Sequence, residues 1–510
     1  MAQMNPDQWI KLEHQRRAVM AQYACDNHAA AAFASLRMLA SKLPQAPAVQ
    51  ADLMLVALAL CEYRAALMAA ERLMDLAGQQ PAAVQAVTEV FLLCGFPEKA
   101  LAAWQRLEKS PQRHAAWLGL ARLAERGGRM EDAAEWTARA LAESPRDAAT
   151  HVQAGRLARR RGHSDAAAKH LEPCAASGVP PAIRVSALYE LGELRDASGD
   201  CAEAATAWRE AKRCSEEAWP VETQRSRRIR ELVLERNRRL VAGLTPDLVR
   251  RWRSCRGDGA PTMAVLAGHP RSGTTLLEQV LASHSAVTDV DEKDALACAL
   301  RETLSPGCPD GPTLAALDDC DETKLAAMRR DYLRRLSMLG LTPGEGGVVL
   351  DKNPNFTDWL PFLLRPLPQL RLIVALRDPR DVLLSCFRLP VKPESGNAGW
   401  LCEAHAAEDY LSMMGVWECL RECLGDDSRW REVHYEELCT DFEKTARGVT
   451  AFLGLEWEGG QSAWQGARMG RHVASPSYES VRAPVHRGSI GRWRRYAEYL
   501  PELFAPFGSA

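Results

Sequence analysis

Over roughly residues 10 to 215 the apolar and small residues fall in a helical pattern that glycine breaks at regular intervals. The stretch WLGLARLAERGGRMEDAAEWTARALAESP, from Trp117 to Pro145, shows the unit: two apolar-striped helices with a glycine turn between them. The turning glycines Gly95, Gly128, Gly162 and Gly199 are spaced by 33, 34 and 37 residues, and each is followed by a small residue, Ala100, Ala133, Ala167 or Ala204. Weaker copies precede them at 63–81 and 28–44. Small residues let antiparallel helices approach closely, and each pair buries its apolar face only against the next. The pattern predicts five or six helix pairs.

Further along the chain the pattern changes to short apolar runs. MAVLAG (263–268) reads as a buried strand and TTLLEQVLASH (274–284) as a helix. GVVLDKNPNF (347–356) reads as strand then loop, RLIVALRDPRDVLLSCFR (371–388) as strand, loop and helix, and WREVHYEEL (430–438) as a further strand. Strands alternating with helices imply a mostly parallel sheet with helices on both faces. Between the halves, residues 220–254 are basic and helical in pattern, which predicts a linker helix with a solvated arginine face. CRGDGAP (255–261) is a turn-rich joint. The expected organisation is a repeat array over 1–215, a linker and joint over 216–259, and an α/β domain over 260–510.

A chain of 510 residues is too long for one ordinary core, in line with this division. Its formal net charge of -2 argues against nucleic acid or an anionic membrane as partner. The N-terminal stretch has no apolar signal region and no run of 18 apolar residues occurs, so a cytoplasmic protein is expected. The 15 cysteines are scattered singly, without metal-ligand spacing, and read as reduced thiols; no metal is expected. His114, His151, His163 and His170 read as solvated or packing residues.

GHPRSGTT (268–275) has the Gly268–Gly273 spacing of a phosphate-binding loop, but Thr274 stands where nucleoside triphosphatases carry lysine, and Arg271 lies inside the loop. Lying between a strand and a helix start, the loop directs backbone amides and the helix dipole at an anion. Arg271, Lys352 and Arg377 all follow predicted strands, and ligands of parallel sheets sit at those ends. Three cations from three strand ends suit a highly anionic ligand. Without the lysine, and with only Asp351 as a weak candidate for a magnesium aspartate, one phosphate in the loop and no magnesium fits best.

The first half resembles tetratricopeptide-repeat proteins, whose grooves often hold peptides or partner proteins. GHPRSGTTLLEQVLASHSAV resembles the 5′-phosphosulfate loop of sulfotransferases, and LIVALRDPRDVLLSCFR their 3′-phosphate motif; DKNPNF and SVRAPVHRGSIGRWRRY are also similar to that superfamily. The whole resembles bacterial tetratricopeptide-repeat sulfotransferases, with a catalytic half similar to protein-tyrosine sulfotransferases. The implied fold is an all-α tetratricopeptide solenoid followed by an α/β P-loop-like domain. The implied donor is 3′-phosphoadenosine 5′-phosphosulfate, held without metal. The resemblance implies Arg271, Ser272, Gly273, Thr274 and Thr275 for the phosphosulfate, Arg377 and Ser385 for the 3′-phosphate, and Tyr435 near the adenine. Lys352 is implied near the bridging oxygen. Arg487 and Arg492 are implied as 3′-phosphate cations, although R-G-S-I-G-R-W departs from the pattern of cytosolic sulfotransferases and leaves open which of them makes the contact. Counted from Arg271, Glu292 falls on the family's catalytic glutamate, with Asp291 and Asp294 as competitors. His405 and His434 sit in no matching motif and read as structural.

These features imply transfer of a sulfuryl group to a hydroxyl, on tyrosine or elsewhere in a peptide held partly by the repeats. A small-molecule or saccharide hydroxyl is the rival acceptor. A nucleotide-binding adaptor with peptide-binding repeats, and an ATP- or GTP-dependent enzyme, are the rival functions. The repeat groove could instead serve a protein partner or a homodimer.

Overall fold

Twelve helices, in six consecutive pairs, run from Pro6–Asp26 to Cys201–Ala218 in the computed structural model, which describes residues 6–26, 29–253, 262–306, 311–394, 396–464 and 485–508. The joint at 255–261 and residues 480–484 of the terminal motif lie outside these. Four pairs turn as the spacing predicts. Gly95, Gly128, Gly162 and Gly199 take φ of 82°, 81°, 76° and 90°. One residue on, the amides of Phe96, Arg129, His163 and Asp200 donate back to the carbonyls of Phe91, Ala124, Ala158 and Arg195 at 2.7 to 2.9 Å. This is a glycine-centred C-cap repeated four times, and a side chain at φ near +80° would strain it. In the second pair Cys61 occupies the glycine's place with φ of 53°, and Glu62 makes the same return bond to Ala57 at 2.9 Å.

Two compact units make up the chain: residues 1–123 with 293–342, and 124–292 with 343–510. The first holds the opening helix pairs and the helices Ala295–Leu304, Leu314–Asp318 and Glu322–Ser337. There the Cys61 and Cys298 sulfurs lie 3.2 Å apart, and Arg334 pairs with Glu62 at 2.7 Å.

The second unit contains a sheet of five strands: β1 (Thr262–Gly268), β2 (Val287–Asp289), β3 (Val348–Lys352), β4 (Arg371–Leu376) and β5 (Trp430–His434). Their order is β2-β3-β1-β4-β5 and every pairing is parallel, so the described strands form a wholly rather than mostly parallel sheet. Strands of such sheets are covered on both sides, which explains why β1 after Thr262 and all of β3 are buried. Leu266, Leu350, Ile373 and Val433 pack one face against Leu277, Leu281, Leu438, Val449 and Leu453. These come from helices Thr274–Leu281, Tyr435–Thr440 and Phe442–Phe452, with Leu453 at the C-terminal cap of the last. The turn Pro354–Trp359 packs on β1 and on the helix Glu403–Leu424.

The basic linker keeps the expected solvated face at Arg225, Arg227, Arg228, Arg238 and Arg239, but Arg230 and Arg236 turn toward acids of the α/β part. It forms two helices, Pro220–Gly243 and Pro246–Arg253, and the first is fastened to the α/β part. Arg230 pairs with Asp409 at 2.7 Å and Arg236 with Asp358 at 2.5 Å, while Asn237 donates to Asp358 at 3.2 Å and to Ser412 at 3.1 Å. Sequence pattern places the arginines on a helix but carries no record of the distant acids they face.

Close approach of the repeat helices also depends on glycine inside them. A Cβ at Gly192 would overlap the fully buried Trp208 indole, whereas one at Gly415, in Glu403–Leu424, would meet nothing within 4 Å. Gly192→Ala should therefore lower the thermal midpoint by the equivalent of about 1–3 kcal/mol of overpacking. Gly415→Ala should leave it unchanged or raise it, since alanine gains up to about 1 kcal/mol in an open helix site. Differential scanning fluorimetry of both variants checks the contrast.

Candidate functional site

The site begins where β1 ends. Gly268 has φ of 126°, and a Cβ there would overlap the Ala375 carbonyl of β4; its amide donates to Thr357 Oγ1 at 2.8 Å. The chain then turns through Arg271, a non-glycine residue at φ of 73°, to Gly273 at φ of 93°. A side chain at Gly273 would come within 2.6 Å of the Tyr435 ring, so the aromatic lies directly on the loop backbone. Ser272, Thr274 and Thr275 are buried, and the helix Thr274–Leu281 starts immediately after Gly273. Its first amides therefore face the crevice at the strand ends, as anion binding requires. After β1 the chain goes to one side of the sheet and β4 lies on the other, which makes β1/β4 the switch point where such folds place ligands.

Across that point the structure brings together Arg271, Arg377, Ser385, Tyr435 and Gly273. Arg271 Nε donates to Ser385 Oγ at 2.9 Å. Arg377 donates to the Arg271 carbonyl at 3.1 Å and to the Ser489 carbonyl at 2.6 Å, and its guanidinium lies 4.5 Å from the Tyr435 ring centre. Burial pushes the Arg271 guanidinium below its usual value, and the charges of Arg377 and Arg388 add to that shift while Cys386 opposes it. Burial likewise pushes the Tyr435 hydroxyl up to about 12, keeping it a neutral donor. The Arg377 Nε is buried with no hydrogen-bond partner. A buried cationic donor without an acceptor is costly, and an anion is what would relieve it.

On the other side of β1, at the end of β3, Lys352 is wholly buried. Its Nζ lies 2.7 Å from Glu292 Oε1, 3.1 Å from Asp291 Oδ1 and 3.2 Å from Glu278 Oε2. Burial disfavours the ammonium, but the three carboxylates outweigh it and hold Lys352 charged, well above its ordinary value. Of the two acids that the sequence leaves as rivals of Glu292 here, Asp291 shares the lysine with it, at φ of 56°.

Glu278 is the residue that sequence reading missed. It sits in an apolar helix, 1% exposed, with its Oε2 3.2 Å from the Lys352 ammonium. One ammonium against three carboxylates leaves excess negative charge in a dry place. Burial, reinforced by Asp289 and only partly offset by Lys352, pushes the Glu278 carboxyl well above its ordinary range. Its available signal was a lone glutamate among the apolar residues of TTLLEQVL.

The terminal motif divides. Arg487 is exposed and, among the described residues, donates to the Thr440 carbonyl at 3.5 Å, while Arg492 pairs with Asp196 of the repeats. Neither is joined to Arg377 by a hydrogen bond. His405 and His434 are exposed, and the His151 and His170 rings bond each other at 2.8 Å. Among the described residues no three His, Cys, Asp or Glu side chains are grouped to hold a metal, and no helix is long and apolar enough to cross a membrane.

Residues 264–459 match the model of the sulfotransferase family. An uncharacterized protein of Aquifex aeolicus (strain VF5) is 28% identical over 272 residues, 51% of this chain and 34% of that protein. A putative protein-tyrosine sulfotransferase of Caenorhabditis briggsae is 27% identical over 206 residues, 38% of this chain and 65% of that protein. The chain thus spans less than two thirds of either relative's own length. The sulfotransferase domain of the Synechococcus PCC 7002 olefin synthase is 20% identical, with 47% of this chain and 89% of that one covered and a TM-score of 0.34.

The raised Glu278 carboxyl has a measurable sign. Its folded value lies above the ordinary 4.5, so the folded state holds a proton that the unfolded state loses. Stability from the neutral acid is complete below about pH 4.5 and declines as pH rises toward the folded value. Glu278→Gln mimics the neutral form. Its thermal midpoint should match wild type near pH 5 and exceed it increasingly toward pH 8. A midpoint that falls further below wild type as pH rises would show an ionised Glu278 instead.

Proposed function

We propose that this chain, whose C-terminal half is of the sulfotransferase family, moves a sulfuryl group from 3′-phosphoadenosine 5′-phosphosulfate to a hydroxyl of a peptide or protein, tyrosine first. The observation that carries the reading is the pair of clusters flanking β1: Arg377, whose buried Nε has no hydrogen-bond partner and whose other hydrogen bonds go to carbonyls, and a buried lysine held against a carboxylate at Glu292. The first suits an anionic donor, the second a proton transfer beside a developing negative charge. The unpartnered Arg377 Nε and the helix that starts right after Gly273 fit a donor with separate 5′ and 3′ anionic groups.

The donor supplies the sulfuryl group and the phosphate oxygen from which it departs. Arg271, with Ser272, Gly273, Thr274 and Thr275, holds the 5′ side, and the planar guanidinium binds two oxygens at once. Arg377 and Ser385 hold the 3′-phosphate, with Tyr435 beside the base. Arg487 and Arg492 are secondary cations in this reading, since Arg492 is engaged by Asp196. Glu292 accepts the acceptor hydroxyl proton as the oxygen–sulfur bond forms. Lys352 stabilises charge on the departing oxygen, fixed in advance so that nothing needs to reorganise at the moment of transfer. Neither role needs a metal.

Two features favour a peptide acceptor: the helix-pair array in the same chain, and the similarity to the putative protein-tyrosine sulfotransferase of C. briggsae. A cytoplasmic location belongs to the same reading, supported by the described cysteines being free thiols.

Incubation with the donor and a tyrosine peptide library, read by mass spectrometry, should yield peptides heavier by one sulfuryl group without added magnesium. Glu292→Gln should lower kcat by about 10²–10⁴-fold, the range of general-base removal. A Glu292→Gln enzyme at full rate would remove the base assignment, and transfer only to saccharides or small alcohols would remove the peptide assignment.

A further inference from the structure

The last repeat pair, Pro181–Ala197 and Cys201–Ala218, meets the C-terminal segment through one carboxylate. Asp196 is 4% exposed. Its Oδ1 accepts the Tyr496 hydroxyl at 2.5 Å, and its Oδ2 lies 3.3 Å from Arg388 and also accepts from Arg492. Arg495 stands 3.7 Å away. One turn earlier, Glu193 holds Arg388 in a two-pronged pair at 3.0 and 2.6 Å. Trp208 of the second helix lies 5.4 Å from the Tyr496 ring and 5.3 Å from the Arg388 guanidinium.

The groups that Asp196 gathers belong to two elements of the donor cluster. Arg388 ends the helix Pro379–Phe387, which carries Ser385. Arg492 and Tyr496 bound the turn that follows Ser489, whose carbonyl accepts from Arg377 at 2.6 Å. The same helix grips that turn again, because Asp381 accepts the amides of Gly491 and Trp493 at 2.6 and 2.9 Å. A continuous chain of short polar contacts thus runs from a repeat helix to the guanidinium assigned to the donor. Its anchor is a single buried acid facing several cations, and without it Arg388 and Arg492 would be left close together with like charge.

We infer that Asp196 is a positioning residue of the donor site: by fixing residues 489–496 and the end of helix Pro379–Phe387, it holds Arg377 and Ser385 in place and makes the last repeat pair an integral part of that site. The inference rests on the donor reading above. It assigns the repeats a second task besides acceptor capture, and predicts that they cannot be removed as an independent adaptor.

The test uses the full chain with Asp196→Asn, Asp196→Glu and Tyr496→Phe, and with Glu172→Gln as control, an exposed acid paired with Arg195 at 3.1 Å on the same repeats. Asp196→Asn should raise the Kd for adenosine 3′,5′-bisphosphate and the donor KM about tenfold, the loss of one charge-assisted hydrogen bond. The acceptor KM, and kcat at saturating donor, should stay within about twofold. Asp196→Glu should recover part of the affinity, and Glu172→Gln should match wild type. Should Asp196→Asn fail to fold, Tyr496→Phe removes only one donor to the carboxylate and should still weaken the bisphosphate by about threefold. Unchanged bisphosphate affinity in the folded variants, beside a binding wild type, overturns the inference alone. Absence of binding to wild type overturns the donor reading and the inference with it.

Discussion

Positive charge held in a dry crevice is the constraint around which the α/β half is arranged. Arg271 and Arg377 meet at the ends of β1 and β4, where Arg377 is satisfied by two carbonyls and a ring face and keeps one donor unpaired. The arrangement is unfavourable by itself, because burial and the neighbouring Arg377 charge both oppose the charge of Arg271. It persists because the sheet fixes the backbone beneath it. Gly268 allows β1 to approach the Ala375 carbonyl, Gly273 allows the loop to lie on Tyr435, and Thr357 satisfies the Gly268 amide. Energy stored as uncompensated charge becomes binding energy when an anion enters, which is how a preorganised site differs from a flexible one.

Beyond β1 the electrostatic balance reverses. Lys352 is surrounded by three carboxylates, so this side carries excess negative charge and one acid, Glu278, is driven toward its neutral form. In the proposed reading the two clusters have complementary tasks: the cation-rich side would receive an anionic donor, and the acid-rich side a proton. The strand order places β1 between them, with β3 and β4 as its neighbours.

What could be read from sequence was local. The repeat glycines declare themselves because a left-handed turn admits little else, and the spacing of Gly95, Gly128, Gly162 and Gly199 sets the pair length. Arg271, Lys352 and Arg377 were legible because each stands at or just beyond the end of a strand that carries a short apolar run. Glu292 was reached by counting within a family resemblance, and its contact with Lys352 accords with that count without testing the role. Glu278 and Asp196 were illegible for one reason. Each acts through residues distant in sequence, and an acid in a helix looks like a solvated acid until its partners are known. The linker arginines Arg230 and Arg236 misled in the same way, reading as a solvated face although Asp409 and Asp358 await them. Arg492 shows the converse: a cation in a donor-like motif is engaged by an acid of the repeats.

The central claim is that the loop holds a single phosphate-like group beside a second anion site, without magnesium. Calorimetric titration with adenosine 3′,5′-bisphosphate in a chelating buffer, beside ATP with magnesium, tests it most directly. The account predicts micromolar binding of the bisphosphate that is abolished in Arg271→Ala and Arg377→Ala, and no comparable binding of ATP. Magnesium-dependent binding of ATP with none of the bisphosphate would contradict it and return the loop to nucleoside triphosphate chemistry.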